Sequence, residues 1–230
     1  MSIHAGHRQR NKDRFKASGL ESFCEHEVLE LLLYYCIPRK DTNQIAHSLI
    51  KRFGSFVQVM EAPARELEKV EGVGENAAMF LNLIRESYRY FHVSAARQTH
   101  YLHNVEDYGE YLRSFFLGMR NEVVYLLCMD AQAGVIDCVK IAEGGVNSAN
   151  ISIRKIADIA LGTNASTVVL AHNHPGGLAV PSPEDVLVTK RIARTLANMD
   201  VYLTDHIVVA GADFVSMYQS GMYDYTALED

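Results

Sequence analysis

Thr167-Val168-Val169-Leu170-Ala171-His172-Asn173-His174-Pro175-Gly176-Gly177 is the stretch on which the reading of this chain turns. Its first five residues, β-branched and apolar, read as a short buried strand. The strand stops at two histidines and a Pro/Gly turn, and the carboxyl ends of such strands are where clefts open in α/β folds. In extended backbone, residues i and i+2 project to one side, so His172 and His174 can converge on one ion. The turn bends the chain back toward Pro181-Ser182-Pro183-Glu184-Asp185, where Asp185 supplies a third ligand. Two neutral imidazoles and a carboxylate suit one zinc ion and leave a fourth position for water.

Each of these residues also has a reading without a metal. Ser182-Pro183-Glu184-Asp185 is a good helix start, with Ser182 as N-cap, Pro183 at N1 and an acid at N3. The cap and the ligand are compatible, because a capped helix start is a rigid mount. Two imidazoles leaving a buried strand for a turn gain nothing in packing, which favours ligation. A zinc hydrolase also needs a carboxylate outside the ligand set to take the proton from water. Glu122, at the start of one strand, and Glu143, after the next, are both candidates, and spacing does not choose between them.

Around the site, strands alternate with helices. Residues 105–117, 153–161 and 184–198 have helical patterns. Residues 122–129, 135–141, 201–210 and 214–217 read as strands, the first two joined as a hairpin. This predicts an α/β (α+β) domain with a mixed sheet over residues 105–230. Residues 25–91 are helical in pattern, punctuated by Pro38, Gly54, Pro63 and Gly72-Val73-Gly74, which predicts a small all-α domain over residues 1–95. A polar segment at 96–104 reads as a linker. His100 and His103 within it have no third ligand nearby.

Composition narrows the class. The chain of 230 residues is 48% hydrophobic and 22% charged, as in ordinary globular proteins, and no apolar run is long enough to span a bilayer. Met1 to Lys16 is polar and basic and lacks the apolar core of a secretory signal, so cytoplasmic residence is expected. The four cysteines form no C-x-x-C pair and are expected to be free, buried thiols. The net charge of −6 argues against a protein that coats nucleic acid, yet it is uneven: residues 1–97 carry +2 and the remainder −8. A polyanion contact would fall in the N-terminal part.

His172-x-His174-Pro175, seven residues to Ser182 and two more to Asp185 resemble the H-x-H-x7-S-x2-D signature of JAMM/MPN+ metalloproteases. The longer string, with Pro181 before Ser182 and Asp205-His206 downstream, resembles the RadC family. So do Asn147-Ser148, Phe53-Gly54-Ser55 and Glu71-Gly72-Val73-Gly74, and the likeness covers nearly the whole chain. It implies an MPN/JAB-like domain that holds one zinc ion on His172, His174 and Asp185 and hydrolyses an amide or isopeptide bond in a protein or peptide. It further implies Ser182 at the oxyanion, Glu122 as the catalytic glutamate with Glu143 as fallback, and Asp205-His206 outside the ligand set. Two positions depart from the family pattern: Gly176 replaces a serine, and Arg154-Lys155 replaces Arg-Glu. The N-terminal domain resembles a helix-hairpin-helix module, with Gly72 and Gly74 as candidate DNA contacts. Glu71 and Glu75 flank that loop and oppose phosphate. The alternative implied is a DNA-associated repair or accessory protein whose metal is structural or nucleolytic.

Overall fold

The computed structural model describes residues 5–97, 101–144 and 152–226, and the chain divides into two compact units, Met1–Tyr88 and Arg89–Asp230. Asn147-Ser148 and His100 lie outside the described residues. No described helix is long and apolar enough to cross a membrane.

The first unit is all helical: α1 (Ala5–Ser18), α2 (Glu25–Cys36), α3 (Thr42–Phe53), α4 (Phe56–Glu61), α5 (Ala64–Leu67) and α6 (Glu75–Ala96), the last ending in the second unit. Its core is built on Leu29, Leu33, Ile45, Leu49, Val59, Leu67 and Leu81. Asp41 caps α3 through the Asn43 N–H, and Gly54 ends it at φ +99°. Gly72 turns the hairpin at φ +90°, a conformation that favours glycine, and a Cβ there would also come within 2.7 Å of Ile45 Cδ1, so backbone and packing give this glycine a structural reason.

α1 has no apolar stripe, which is why hydrophobic periodicity does not reveal it. Polar contacts hold it instead. Arg8 donates to the carbonyls of Ile37, Pro38 and Lys40, and Arg14 pairs with Glu27 at 2.8 Å. α6 likewise runs five residues past the expected end at Phe91, because Val93 and Ala96 still find apolar surface in the second unit. Tyr101, in the segment read as linker, bridges to Gly134, and Leu102 is buried. The cysteine expectation needs one correction. Cys128 and Cys138 are buried free thiols and Cys36 is half-buried, but Cys24 is exposed, since it stands just before α2 at its solvent-facing start.

The second unit contains α7 (Val105–Phe116), β1 (Val123–Met129), β2 (Val135–Glu143), α8 (Ile153–Gly162), β3 (Thr167–Asn173), α9 (Pro183–Ala197), β4 (Tyr202–Ala210) and β5 (Asp213–Ser216). The chain is thus an all-α region followed by a mixed α/β domain whose five-stranded sheet has the order β2-β1-β3-β4-β5. The β3–β4 pair is parallel and the others are antiparallel. Strand alternation sorts the side chains into two layers. Val124, Leu126, Cys128, Val168 and Leu170 pack against α8 and α9 through Ile156, Ala160, Ile192 and Leu196. Val123, Tyr125, Leu127, Val169 and Ala171 pack against α7 through Leu112, Phe115 and Phe116.

One irregularity in β4 decides which of its side chains face α9. Val168 pairs with Leu203, but Val169 pairs with Asp205, so Thr204 is an extra residue opposite β3. The insertion reverses the phase of the strand. Beyond it, His206 falls on the α9 side with His172, and Asp205 falls on the α7 side, where it accepts from Tyr108 Oη at 2.9 Å.

Candidate metal centre

Three elements deliver the three candidate ligands. His172 continues the Val168–Leu170 row on the α9 face of β3, and β1 pins it there through the Val124–His172 pair. His174 lies just beyond the strand, and its N–H donates to Val209 O at 2.8 Å, extending the β3–β4 ladder by one residue. The turn is then closed by Gly177 N–H to His174 O at 3.1 Å. Gly176 sits within it at φ +70°, a left-handed conformation that favours glycine.

Asp185 stands at the third position of α9, whose buried stripe continues through Thr189, Ile192, Ala193 and Leu196. Ser182 and Asp185 form the expected capping box. Asp185 N–H donates to Ser182 Oγ at 3.1 Å, while Ser182 N–H and Oγ–H donate to Asp185 Oδ2 at 2.8 and 2.7 Å. Capping and site geometry thus coincide in one carboxylate.

The three side chains come together. His172 Nε2 lies 3.0 Å from His174 Nε2 and 3.5 Å from Asp185 Oδ1, and His174 Nε2 lies 4.0 Å from Asp185 Oδ2. One ligand atom from each lies within 4.8 Å of the others, so the cluster can coordinate a metal ion. The donor chemistry fits. His174 Nδ1–H donates to Leu178 O at 2.9 Å, leaving Nε2 as a bare lone pair, and an ionised carboxylate only accepts. Burial drives His172 down to about 4, against the opposing pull of Asp185, and holds the fully buried His206 well below the ordinary histidine range. Neutral rings are what a metal requires.

Of the two candidate bases, Glu143 is exposed on the outer strand β2. It accepts from Lys140 Nζ at 2.6 Å and Asn121 Nδ2 at 2.9 Å, and the Lys140 hydrogen bond holds it below the usual carboxylate range. Glu122 is exposed just before β1, and its carbonyl accepts from Gly144 N–H at 2.8 Å.

Sequence reasoning misses two residues that organise this region. Asn173, between the histidines, accepts from Val123 N–H at 2.7 Å and donates to Asn121 O at 3.1 Å, clamping the backbone on both sides of Glu122. Thr189 is fully buried and lies 2.6 Å from both Asp185 O and His206 Nδ1, while His206 Nε2 lies 2.8 Å from His172 Nδ1. The available signal for Thr189 is a lone hydroxyl on an otherwise apolar helix stripe. His206 stands outside the candidate ligand set and backs the candidate ligand His172.

A family model described as a RadC-like JAB domain matches residues 102–222. Over 224 residues the chain is 31% identical to a UPF0758 protein of Fusobacterium nucleatum subsp. nucleatum, an alignment spanning 94% of this chain and 97% of that relative.

Proposed function

Because the chain belongs to the RadC family of JAB-domain proteins, we propose that it is a zinc-dependent hydrolase of an amide or isopeptide bond in a protein or peptide. The observation that carries this reading is the meeting of His172 Nε2, His174 Nε2 and an Asp185 oxygen in one place. His172, His174 and Asp185 would hold the ion, since their atoms, 3.0, 3.5 and 4.0 Å apart, are the nitrogen and oxygen donors that zinc takes. When bound, zinc supplies Lewis acidity and brings the pKa of a coordinated water toward about 7.

The chain's own residues supply the rest of the proposed chemistry. Glu122 takes the proton of the attacking water and returns it to the leaving amine. Strand position supports this assignment: Val124 faces His172, and Glu122 comes two residues earlier, in backbone that the Asn173 side chain ties down on both sides. Glu143, tied to Lys140 and Asn121, is the weaker base. Ser182 turns its hydroxyl from Asp185 to the oxyanion of the tetrahedral intermediate. The test compares wild type with Glu122→Gln on peptide, isopeptide and DNA substrates, with zinc content measured in parallel. Amide or isopeptide hydrolysis should fall by roughly 10²–10⁴-fold with zinc retained. Unchanged hydrolysis sinks the base, and hydrolysis of DNA alone sinks the bond assignment.

A second reading, nucleic-acid contact by the helical unit, has one observation in its favour. Exposed Arg10, Arg39 and Lys40 lie in that unit with Lys12, whose ammonium sits 5.6 Å from the ring of Tyr35, itself 69% exposed. Cations interleaved with an exposed aromatic suit a phosphate backbone with stacked bases. The hairpin glycines are less suited. Gly72 lines a cavity of about 350 Å³ in which Lys40 is opposed by Asp41 and Glu71. Salt-dependent DNA binding by the full chain, lost in Lys12→Glu/Arg39→Glu, supports this reading; no binding at low salt removes it.

A further inference from the structure

We infer that Thr189 and His206 form, with the backbone carbonyl of Asp185, a one-way hydrogen-bond relay that fixes the tautomer of His172, so that one metal ligand orients another. The inference rests on the cluster being a metal site, and it decides a question that the distances alone leave ambiguous. Two imidazole nitrogens 3.0 Å apart are either an N–H···N hydrogen bond or two lone pairs aimed at a shared cation.

The relay selects the second arrangement. Thr189 Oγ1 lies 2.6 Å from Asp185 O and 2.6 Å from His206 Nδ1. A hydroxyl has one proton, and a carbonyl only accepts. If the proton pointed at His206, two oxygens would meet at 2.6 Å with nothing between them. The hydroxyl therefore donates to Asp185 O, and His206 Nδ1–H donates to Thr189 Oγ1. In the neutral ring, His206 Nε2 is then bare, and at 2.8 Å it accepts from His172 Nδ1–H. That leaves His172 Nε2 without a proton. His174 reaches the same state by a separate route, through Leu178 O. Bulk solvent does not reach the relay, because Thr189, His172 and His206 are each 0% exposed. Thr189 follows Asp185 by one helical turn, so the residue whose carboxylate faces His172 also anchors, through its carbonyl, the chain that aims His172 back at it.

Thr189 and His206 are positioning residues, and the test reads metal binding and tautomer as well as folding. On the full chain, competition with a chromophoric chelator gives the zinc affinity of wild type, Thr189→Val and Thr189→Ser. Valine keeps the shape and removes the hydroxyl; serine restores it. Thr189→Val should weaken zinc binding about 10–100-fold, the usual cost of losing such a partner, and Thr189→Ser should recover most of it. In the zinc-free chain, ¹⁵N shifts of the imidazoles should show Nδ1–H at both His172 and His206. Wild type without zinc affinity overturns the metal reading, and the nitrogen shifts then judge the relay alone. An Nε2–H tautomer at His172, or Thr189→Val binding zinc as tightly as wild type, overturns the relay. If Thr189→Val does not fold, the wild-type shifts and Thr189→Ser still decide.

Discussion

Glu30 in the helical unit and Asp185 in the C-terminal unit are carboxylates buried almost completely, at 1% and 3% exposure, yet their surroundings differ in kind. Glu30 is surrounded by donors. Tyr34 Oη–H reaches it at 2.7 Å, Asn43 Nδ2 at 2.9 Å and His7 Nε2 at 3.0 Å, and Asn11 Nδ2 donates in turn to Tyr34 Oη. Asp205 is equally well supplied by Tyr108, Ser216, the His206 N–H and the Tyr218 N–H. Asp185 receives its capping donors on Oδ2 alone, while Oδ1 faces His172 Nε2, which in its relay-set tautomer has nothing to give. A buried polar cluster whose donors and acceptors balance is a structural device. One left with surplus acceptors has space for a cation.

The largest effect should come from emptying the unbalanced cluster. Asp185→Ala removes the only anionic ligand and should weaken metal binding on the order of 10³-fold, since structural zinc sites are worth about 10–16 kcal/mol over four ligands. Chelator competition measures it, and Glu30→Ala should leave metal binding untouched. If Glu30→Ala weakens binding comparably, the division into two kinds of cluster is wrong.

The balanced cluster should answer in stability. Glu30→Ala strands several buried donors and should cost about 3 kcal/mol, read as faster hydrogen exchange across α1 and α2. Metal addition should do the converse. At about 100 times its dissociation constant it stabilises the unit that binds it by about 2.7 kcal/mol. Exchange should slow in the sheet and α9, not in α2 and α3, and a chelator should reverse it. The smallest effect belongs to Ser216→Ala, which takes one of four donors from Asp205. It should cost about 1–2 kcal/mol in urea denaturation with no change in metal affinity.

Much of this is legible in the sequence alone. Apolar runs such as Val123–Met129 and the Pro and Gly breaks fix the elements to within a few residues, because burial imposes those patterns. The histidine pair and Asp185 can be read because ligand chemistry restricts residue types and spacing together. α1 cannot, since it docks by hydrogen bonds and ion pairs that leave no periodic mark. Nor can Asn173, whose partners lie fifty or more residues away, or the sides taken by Asp205 and His206. In Leu203-Thr204-Asp205-His206-Ile207 nothing marks where the alternation slips.

That slip makes the candidate metal centre depend on a bulge. Thr204 adds one step to β4, and every residue after it changes sides. Were Thr204 drawn into the ladder opposite Val169 instead, Asp205 and His206 would trade sides, bringing a carboxylate to the back of His172 and burying an imidazole among the donors meant for Asp205. Neither composition nor the ligand motif would register the change. Related chains are therefore comparable at this site by which residue of β4 pairs with Leu170, not by the length of the strand, and a shift of the bulge is a change of chemistry even when no candidate ligand is touched.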